Sequence, residues 1–347
     1  MNERKTPQLR VCLTPHCNLH CTYCRPGGEG YYENVNIRLL SMEEVITIIS
    51  LCAKVGFTHI KFTGGEPLLR SDLTEIIAAT KRIPGIKEIQ IVTNGTLLAG
   101  RATELKAAGL DWITISLDAA EPEAFWRIRG ANLSTVLKAI RECREVGLPV
   151  RINMVVMKSN LNQIPLMISL ASELGCSLKL LDLICLDTGR SLEFWRREFV
   201  QFNLVRNMLE KLGAGLVGRE EAPGGIGAPL LDYRLPNGLQ VVVKDSTQGT
   251  YYHSSCKTCK NYPCQDALIS VRVTHDGCLK RCLIRNDNLV PLLPLLHDGR
   301  IAEAVSAIEE TFAIMTESSY HPFAWNPDSL LGGGSEDGSN IATGVDK

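Results

Sequence analysis

The sequence predicts an α/β fold, a partial (βα)6 TIM-type barrel carrying a C-terminal extension. Three observations predict it. Short apolar segments rich in Ile and Val recur through residues 9–185 of the 347-residue chain. Helix-length patterns fill the intervals between them, as a parallel sheet with crossover helices requires. Side chains that bear chemistry keep falling at the ends of the apolar segments, where α/β proteins bind their ligands.

The strands are read at Leu9–Thr14, His59–Thr63, Glu88–Thr93, Trp112–Leu117, Val150–Met157 and Leu178–Ile184. The helices are read at Met42–Val55, Asp72–Ile83, Gly100–Ala108, Leu133–Val146 and Gln163–Leu174. Ser41 followed by Glu44 is a capping-box signature for the first helix. Gly56, Gly85, Gly109, Gly147 and Gly175 each follow a helix, as C′ glycines do. Six such units are fewer than the eight that close a barrel, so an open barrel is expected. Beyond Ile184 the pattern changes. Phe194–Leu212 reads as one helix, Gly218–Pro236 as a loop rich in Gly and Pro, and Gly238–Lys244 as a strand. Ile269–Thr274 and Cys278–Leu283 read as a hairpin turned at Asp276-Gly277, and Ile301–Ile314 as a helix. The chain thus divides into a core at 7–190, an extension at 191–315 and a Gly- and Ser-rich tail at 332–347 expected to be disordered.

Composition excludes several functions. With 45% hydrophobic residues, 22% charged residues and a net charge of −1, nothing marks an electrostatic nucleic-acid binder. No apolar run approaches the ~18 residues that span a bilayer, and the N-terminus shows no signal-peptide pattern. A cytoplasmic protein, bound neither to membrane nor to nucleic acid, is expected. Thirteen cysteines in such a setting point to metal rather than disulfides, although Cys52, Cys143, Cys176 and Cys185 lie singly in apolar patterns and read as core.

Cys17-Asn-Leu-His-Cys21-Thr-Tyr-Cys24 follows the first strand with spacing C-x3-C-x2-C. Three thiolates so placed hold three irons of a cubane [4Fe–4S] cluster and leave the fourth without a protein ligand, free to bind a small molecule. A zinc knuckle is the alternative, although zinc more often pairs C-x2-C with a second ligand pair. Gly64-Gly65-Glu66-Pro67 follows the second strand, where glycines admit a close ligand and an acceptor could meet an ammonium group. Thr93, Asn94, Ser116 and Arg151 are polar residues assigned to strand ends, suited to ribose and carboxylate contacts. Tyr23, between two cysteines, could cover an adenine or simply pack. A second cysteine field holds Cys256, Cys259, Cys264, Cys278 and Cys282 around the hairpin, and reads as a zinc ribbon or as a second iron–sulfur site.

The first cysteine motif resembles the signature of the radical S-adenosylmethionine (SAM) superfamily. That resemblance implies a [4Fe–4S] cluster at Cys17, Cys21 and Cys24 that binds SAM and reductively cleaves it to a 5′-deoxyadenosyl radical, which takes hydrogen from substrate. It also implies SAM contacts from Tyr23, from Gly64, Gly65, Glu66 and Pro67, and from Thr93, Asn94, Ser116 and Arg151. Arg10, the Phe62–Arg70 segment, Val92–Gly95, Ile115–Asp118, Arg151–Val156 and Val271–Leu283 are similar to the GTP 3′,8-cyclases of molybdenum-cofactor biosynthesis, over most of residues 7–315. This implies an auxiliary [4Fe–4S] cluster drawn from Cys256, Cys259 and Cys282, with Cys264 and Cys278 as extra candidates. Arg10 and Arg272 match arginines near the nucleotide in that family, and Lys61 is a further basic candidate or simply an exposed strand-end lysine. A reductant such as flavodoxin or ferredoxin is the implied partner. Three departures stand out: the interval from Cys259 to Cys282 is longer than the family's, Ser270 occupies an expected arginine position, and no Gly-Gly tail closes the sequence. They keep open a paralogue acting on a peptide or small metabolite, and a non-catalytic iron–sulfur binder or sensor.

Overall fold

The computed structural model describes residues 8–24, 38–185, 189–220, 230–266, 268, 270–322 and 325–331. The expected tail from Gly332, residues 221–229 of the expected loop, and Ile269 of the expected hairpin lie outside the described residues.

The strands are β1 (Gln8–Cys12), β2 (His59–Thr63), β3 (Glu88–Thr93), β4 (Trp112–Ser116), β5 (Val150–Val156), β6 (Ser177–Asp182), β7 (Gly215–Glu220), β8 (Leu230–Arg234), β9 (Gln240–Lys244), β10 (Thr250–Tyr252), β11 (Val271–Val273), β12 (Cys278–Lys280), β13 (Val290–Pro291) and β14 (Ser319–His321). Twelve of them form one sheet in the order β13-β12-β11-β1-β2-β3-β4-β5-β6-β9-β8-β7. β1 to β6 are parallel to one another in sequence order. β11 adds to β1 and β9 adds to β6, both also parallel. Among the described residues β9 and β11 do not pair, so the sheet curves as an open barrel and does not close. Residues 191–315 therefore extend both edges of the core sheet.

The helices are α1 (Met42–Val55), α2 (Leu73–Lys81), α3 (Ala102–Ala107), α4 (Pro122–Arg129), α5 (Leu133–Glu145), α6 (Ile164–Glu173), α7 (Gly189–Glu198), α8 (Phe202–Lys211), α9 (Leu292–His297), α10 (Ile301–Thr316) and α11 (Asp328–Leu331). The Ser41–Glu44 capping box opens α1, with Ser41 N donating to Glu44 Oε2 at 2.8 Å. All five C′ glycines adopt positive φ, from 63° at Gly175 to 128° at Gly56. No helix of the described residues is long and apolar enough to cross a membrane.

Three expectations are corrected. The single helix at Phe194–Leu212 is two, α7 and α8, broken where Phe199 and Val200 turn into the core. The described part of the loop at Gly218–Pro236 contains strands: β7 ends at Glu220, and β8 pairs antiparallel with β9. α4, unexpected from sequence, lies between β4 and α5.

Alternation along β1 to β6 decides what the barrel is for. Leu9, Val11, Ile60, Phe62, Ile89, Ile91, Ile113 and Ile115 are at most 1% exposed and pack among apolar side chains of the helices. Their strand neighbours, turned the other way, are Gln8, Arg10, Lys61, Gln90, Trp112 and Thr114, and these line a cavity. Ordinary eight-stranded barrels fill that space with Val, Ile and Leu. Here the apolar core sits outside the sheet, and the inside is a chamber into which these polar and charged side chains reach.

Candidate active site

The first cysteine loop leaves β1 and is held against the turn after β2. Gly65 N donates to Thr14 O and Glu66 N to His16 O, each at 2.7 Å. A Cβ on Gly65 would lie 2.1 Å from His16 O, and one on Gly64 (φ +153°) 2.2 Å from Thr14 O, so only glycines let the two backbones meet. Beyond this crossing Cys17 and Cys24 are exposed and Cys21 is half-buried, and all three line the cavity. Three donors approach the sulfurs. Leu19 N lies 3.4 Å from Cys17 Sγ, Asn94 Nδ2 3.8 Å from the same atom, and an Arg129 guanidinium nitrogen 3.7 Å from Cys21 Sγ. Burial pushes the Cys21 thiol up, against the lowering pull of Arg129. Among the described residues no three His, Cys, Asp or Glu side chains close on one ion point. A cubane does not require that, because each of its cysteines takes a different iron. Three thiols on one loop with N–H donors aimed at two of them are a donor set that fits such a cluster.

The Gly64–Pro67 segment divides. Gly64 and Gly65 line the cavity; Glu66 and Pro67 do not. The Glu66 carboxylate is fully buried and accepts from Thr93 Oγ1 (2.7 Å), Asn94 N (2.7 Å) and Leu68 N (3.0 Å). Burial raises its pKa while these donors lower it. It acts as a clamp between the β2 and β3 turns and leaves only the two glycines of the segment on the cavity wall. Pro67 is itself buried and opens a 3₁₀ turn. Thr93 and Asn94 stay on the cavity wall, and Asn94 also donates to Asn18 Oδ1 at 2.9 Å. Ser116 ends β4 at the same rim.

Tyr23 is fixed by its hydroxyl, which donates to Asp118 Oδ2 at 2.9 Å and accepts from Arg129 at 2.6 Å. Arg129 and Asp118 form a buried ion pair of 2.6 Å, with side chains 5% and 0% exposed. Sequence reasoning missed Arg129 because α4 itself was missed. The signal was Pro122 at a helix start, Gly130 just past its end, and the apolar run Ala124, Phe125, Ile128.

The cavity measures about 380 Å³ and reaches from the cysteine loop through the barrel. Arg272, Arg10, Lys61, Gln90 and Trp112 occupy one register row across five adjacent strands and all line it. Arg151 is the second residue of β5, below the rim to which it was assigned, and its guanidinium lies 4.3 Å over the Trp112 ring. The walls carry Arg10, Lys61, Arg129, Arg151, Lys179, Lys244 and Arg272 together with Asp182 and Asp266, and Arg129 is paired with Asp118 behind the wall. Lys244 pairs with Asp182 at 3.2 Å, and Arg272 approaches Asp266 at 3.8 Å. Burial and the surrounding cations hold the Lys179 ammonium well below its ordinary pKa. Trp112 Nε1, Gln90 Oε1 and Asn153 Oδ1 are buried and have no hydrogen-bond partner among the described residues. Sequence reasoning missed Lys179, Gln90 and Trp112; the signal was their shared phase on strands whose alternate side chains are buried and apolar.

The second cysteine field lies at the opposite end. β12 runs antiparallel to β11, so Cys282, which follows it, sits towards the amino ends of the parallel strands. Cys256 is raised by burial and by the nearby Cys282 and Cys259. Arg285, raised chiefly by Asp287, also feels Cys259 and Cys282. Those three thiols are thus neighbours. Cys264 stands beside them: its carbonyl accepts from Tyr252 at 2.6 Å, and its thiol and that of Cys256 both act on the Tyr252 phenol. Cys278 stands apart on β12, pushed up to about 11 by burial and Asp276, with no cysteine among the groups acting on it. Asp266 and Leu283 carry the cavity wall to this end.

Comparison with known proteins agrees with this geometry. The Radical SAM superfamily profile matches residues 11–171. The probable GTP 3′,8-cyclase of Methanococcus aeolicus is 32% identical over 305 residues, covering 86% of this chain and 92% of that one. The GTP 3′,8-cyclase of Limosilactobacillus fermentum is 32% identical over 290 residues, covering 83% and 82%. The crystal structure of Streptococcus suis SuiB bound to its precursor peptide SuiA shares the fold, with a TM-score of 0.57 at 16% identity, over 88% of this chain and 67% of that one. Radical SAM enzymes work with a [4Fe–4S] cluster and SAM, and GTP 3′,8-cyclases carry a second cluster. With its motif, its half-open barrel and these relatives, the chain belongs to the radical SAM superfamily and, within it, to the GTP 3′,8-cyclase family.

Proposed function

We propose that the chain cyclises a purine nucleoside triphosphate, GTP or a close relative. One observation carries this reading: a register row of cations, Arg272, Arg10 and Lys61, lines the cavity that opens at the cysteine loop. A row of cationic side chains suits a polyanion, and triphosphate offers it oxygens fitted to guanidinium forks. Cys17, Cys21 and Cys24 would hold the SAM-binding cluster, with Gly64 and Gly65 offering backbone to the SAM amino group. Cys256, Cys259 and Cys282 would hold the second cluster. The bound cofactors supply the one-electron cleavage of SAM and the hydrogen-abstracting radical. The chain's own contribution is to anchor the phosphates, to orient the ribose towards the cysteine rim, and to exclude water. A low-potential flavodoxin or ferredoxin in the cytoplasm is the proposed electron donor.

The test is anaerobic turnover of the cluster-loaded protein with SAM, GTP and a strong reductant. A cyclised nucleotide and 5′-deoxyadenosine in the product mixture are expected. GTP that neither binds in equilibrium dialysis nor changes the 5′-deoxyadenosine yield would end this reading. Ser270, buried where an arginine is expected and with its Oγ without a partner among the described residues, favours a second reading: a paralogue taking a less charged substrate. Tighter binding of guanosine or a monophosphate than of GTP would select it.

A further inference from the structure

We propose that Arg129 is a positioning residue that sets the reduction potential of the cluster at Cys17, Cys21 and Cys24. The proposal rests on that ligand assignment. Arg129 is the last residue of α4, and Gly130 ends the helix in a left-handed conformation (φ 67°). The residue before it, Ile128, accepts a hydrogen bond from Thr22 N at 3.0 Å, so the cysteine loop and the end of α4 move together. All three guanidinium nitrogens are assigned. Nε meets Asp118 Oδ2 at 2.6 Å, one terminal nitrogen donates to the Tyr23 hydroxyl at 2.6 Å, and the other points to Cys21 Sγ at 3.7 Å. Asp118 is itself held, because Val155 N donates to its Oδ1 at 2.8 Å and Asn160 Nδ2 donates to its carbonyl at 3.0 Å.

A buried ion pair by itself is weak support for stability, since apolar side chains of equal volume often do as well. This pair directs a charged N–H at the one half-buried sulfur of the loop. A hydrogen bond and a positive charge at a ligand sulfur favour the cluster after it has accepted an electron, and so raise its potential. Asp118 behind the guanidinium opposes that effect. The two residues therefore act on one couple with opposite signs, which a purely structural role would not do.

The test is an electron paramagnetic resonance titration of the anaerobically loaded full chain, for wild type, Arg129→Gln, Arg129→Lys and Asp118→Asn, with iron content and SAM affinity measured alongside. Arg129→Gln should lower the midpoint of the SAM-responsive signal, Asp118→Asn should raise it, and Arg129→Lys should fall between Arg129→Gln and wild type. Equal midpoints at unchanged iron content would overturn the proposal, as would weakened SAM binding with no midpoint shift. Should Arg129→Gln fail to fold, the sign of the Asp118→Asn shift decides alone. Iron content unaltered by replacing Cys17, Cys21 and Cys24 with Ala would instead remove the ligand assignment beneath it.

Discussion

Replacing Gly65 with Ala tests how the cysteine loop is seated. The new Cβ would fall 2.1 Å from His16 O, 2.4 Å from His16 C and 2.5 Å from Pro15 O, all backbone atoms with no rotamer to yield. To reach even 3.0 Å the two segments must part by about 0.9 Å. The 2.7 Å bonds from Gly65 N to Thr14 O and from Glu66 N to His16 O then stretch to about 3.6 Å, which is no longer bonding distance. Two backbone bonds lost at a packed crossing cost about 2–5 kcal/mol together. A shift of about 1 Å in Cys17 relative to Gly64 would also lower SAM cleavage about 100-fold. Urea denaturation reads the first effect, and anaerobic 5′-deoxyadenosine yield at matched iron content reads the second. Gly218→Ala is the control, since nothing lies within 4 Å of its Cβ and its φ needs no glycine. A Gly65→Ala protein within about 1 kcal/mol of wild-type stability and with wild-type yield would refute the crossing as the seat of the loop.

In the empty cavity, burial and the cations Lys61, Arg151, Arg10 and Lys244 disfavour the Lys179 ammonium. An entering polyanion reverses this, so nucleotide binding takes up a proton and weakens as pH rises; calorimetry in buffers of different ionisation enthalpy should show the uptake, and its persistence in Lys179→Met would sink the idea. The same depression makes ligand-free stability rise with pH between the lowered value and 10.5, a slope that Lys179→Met should flatten in urea titrations across that range. Cys282→Ala should lower iron content by about four atoms per chain whereas Cys278→Ala should leave it unchanged; equal losses would contradict the grouping of Cys282 with Cys256 and Cys259. Trp325, 4% exposed and edge-on to Trp195 (6.2 Å) and Phe199 (5.9 Å), should cost about 3–5 kcal/mol as Trp325→Ala, measured by denaturant unfolding; a loss under about 1 kcal/mol would mean the aromatic cluster contributes little.

The parallel core was legible because each strand is a compact apolar run punctuated by glycine. His59–Thr63 and Glu88–Thr93 match the structure to the residue. What escaped were elements whose pattern depends on distant partners. β8 follows a Gly- and Pro-rich run, and only its pairing with β7 and β9 makes it a strand. α4 is two turns long, and four of its eight residues are charged or proline on the exposed side or at its ends. Cavity lysines hid for another reason. Lys179 sits in Ser177–Asp182 among leucines, and an apolar strand with one lysine reads as a half-solvated surface when the interior is assumed to be oily. Arg151 was placed at the rim because its motif was; the register puts it opposite Thr114. Cys264 and Cys278 could not be ranked by spacing, since spacing carries no information about which face of a hairpin a thiol takes.

The parallel seam between β1 and β11 bears on how the enzyme is made. The strand that launches the first cysteine loop leaves the ribosome before its second neighbour, which is encoded some 260 residues later. At about 5–20 residues per second, roughly 13–50 s separate the two. Throughout that time β1 has an uncovered edge, a template for unwanted pairing. Iron and sulfide delivered during synthesis would find the thiols on a barrel still lacking one wall; delivered afterwards, they must enter through the rim. Chains cut short before Val271 should therefore collect as aggregates, while the same cut supplied with a peptide carrying Val271–Leu283 should stay dispersed.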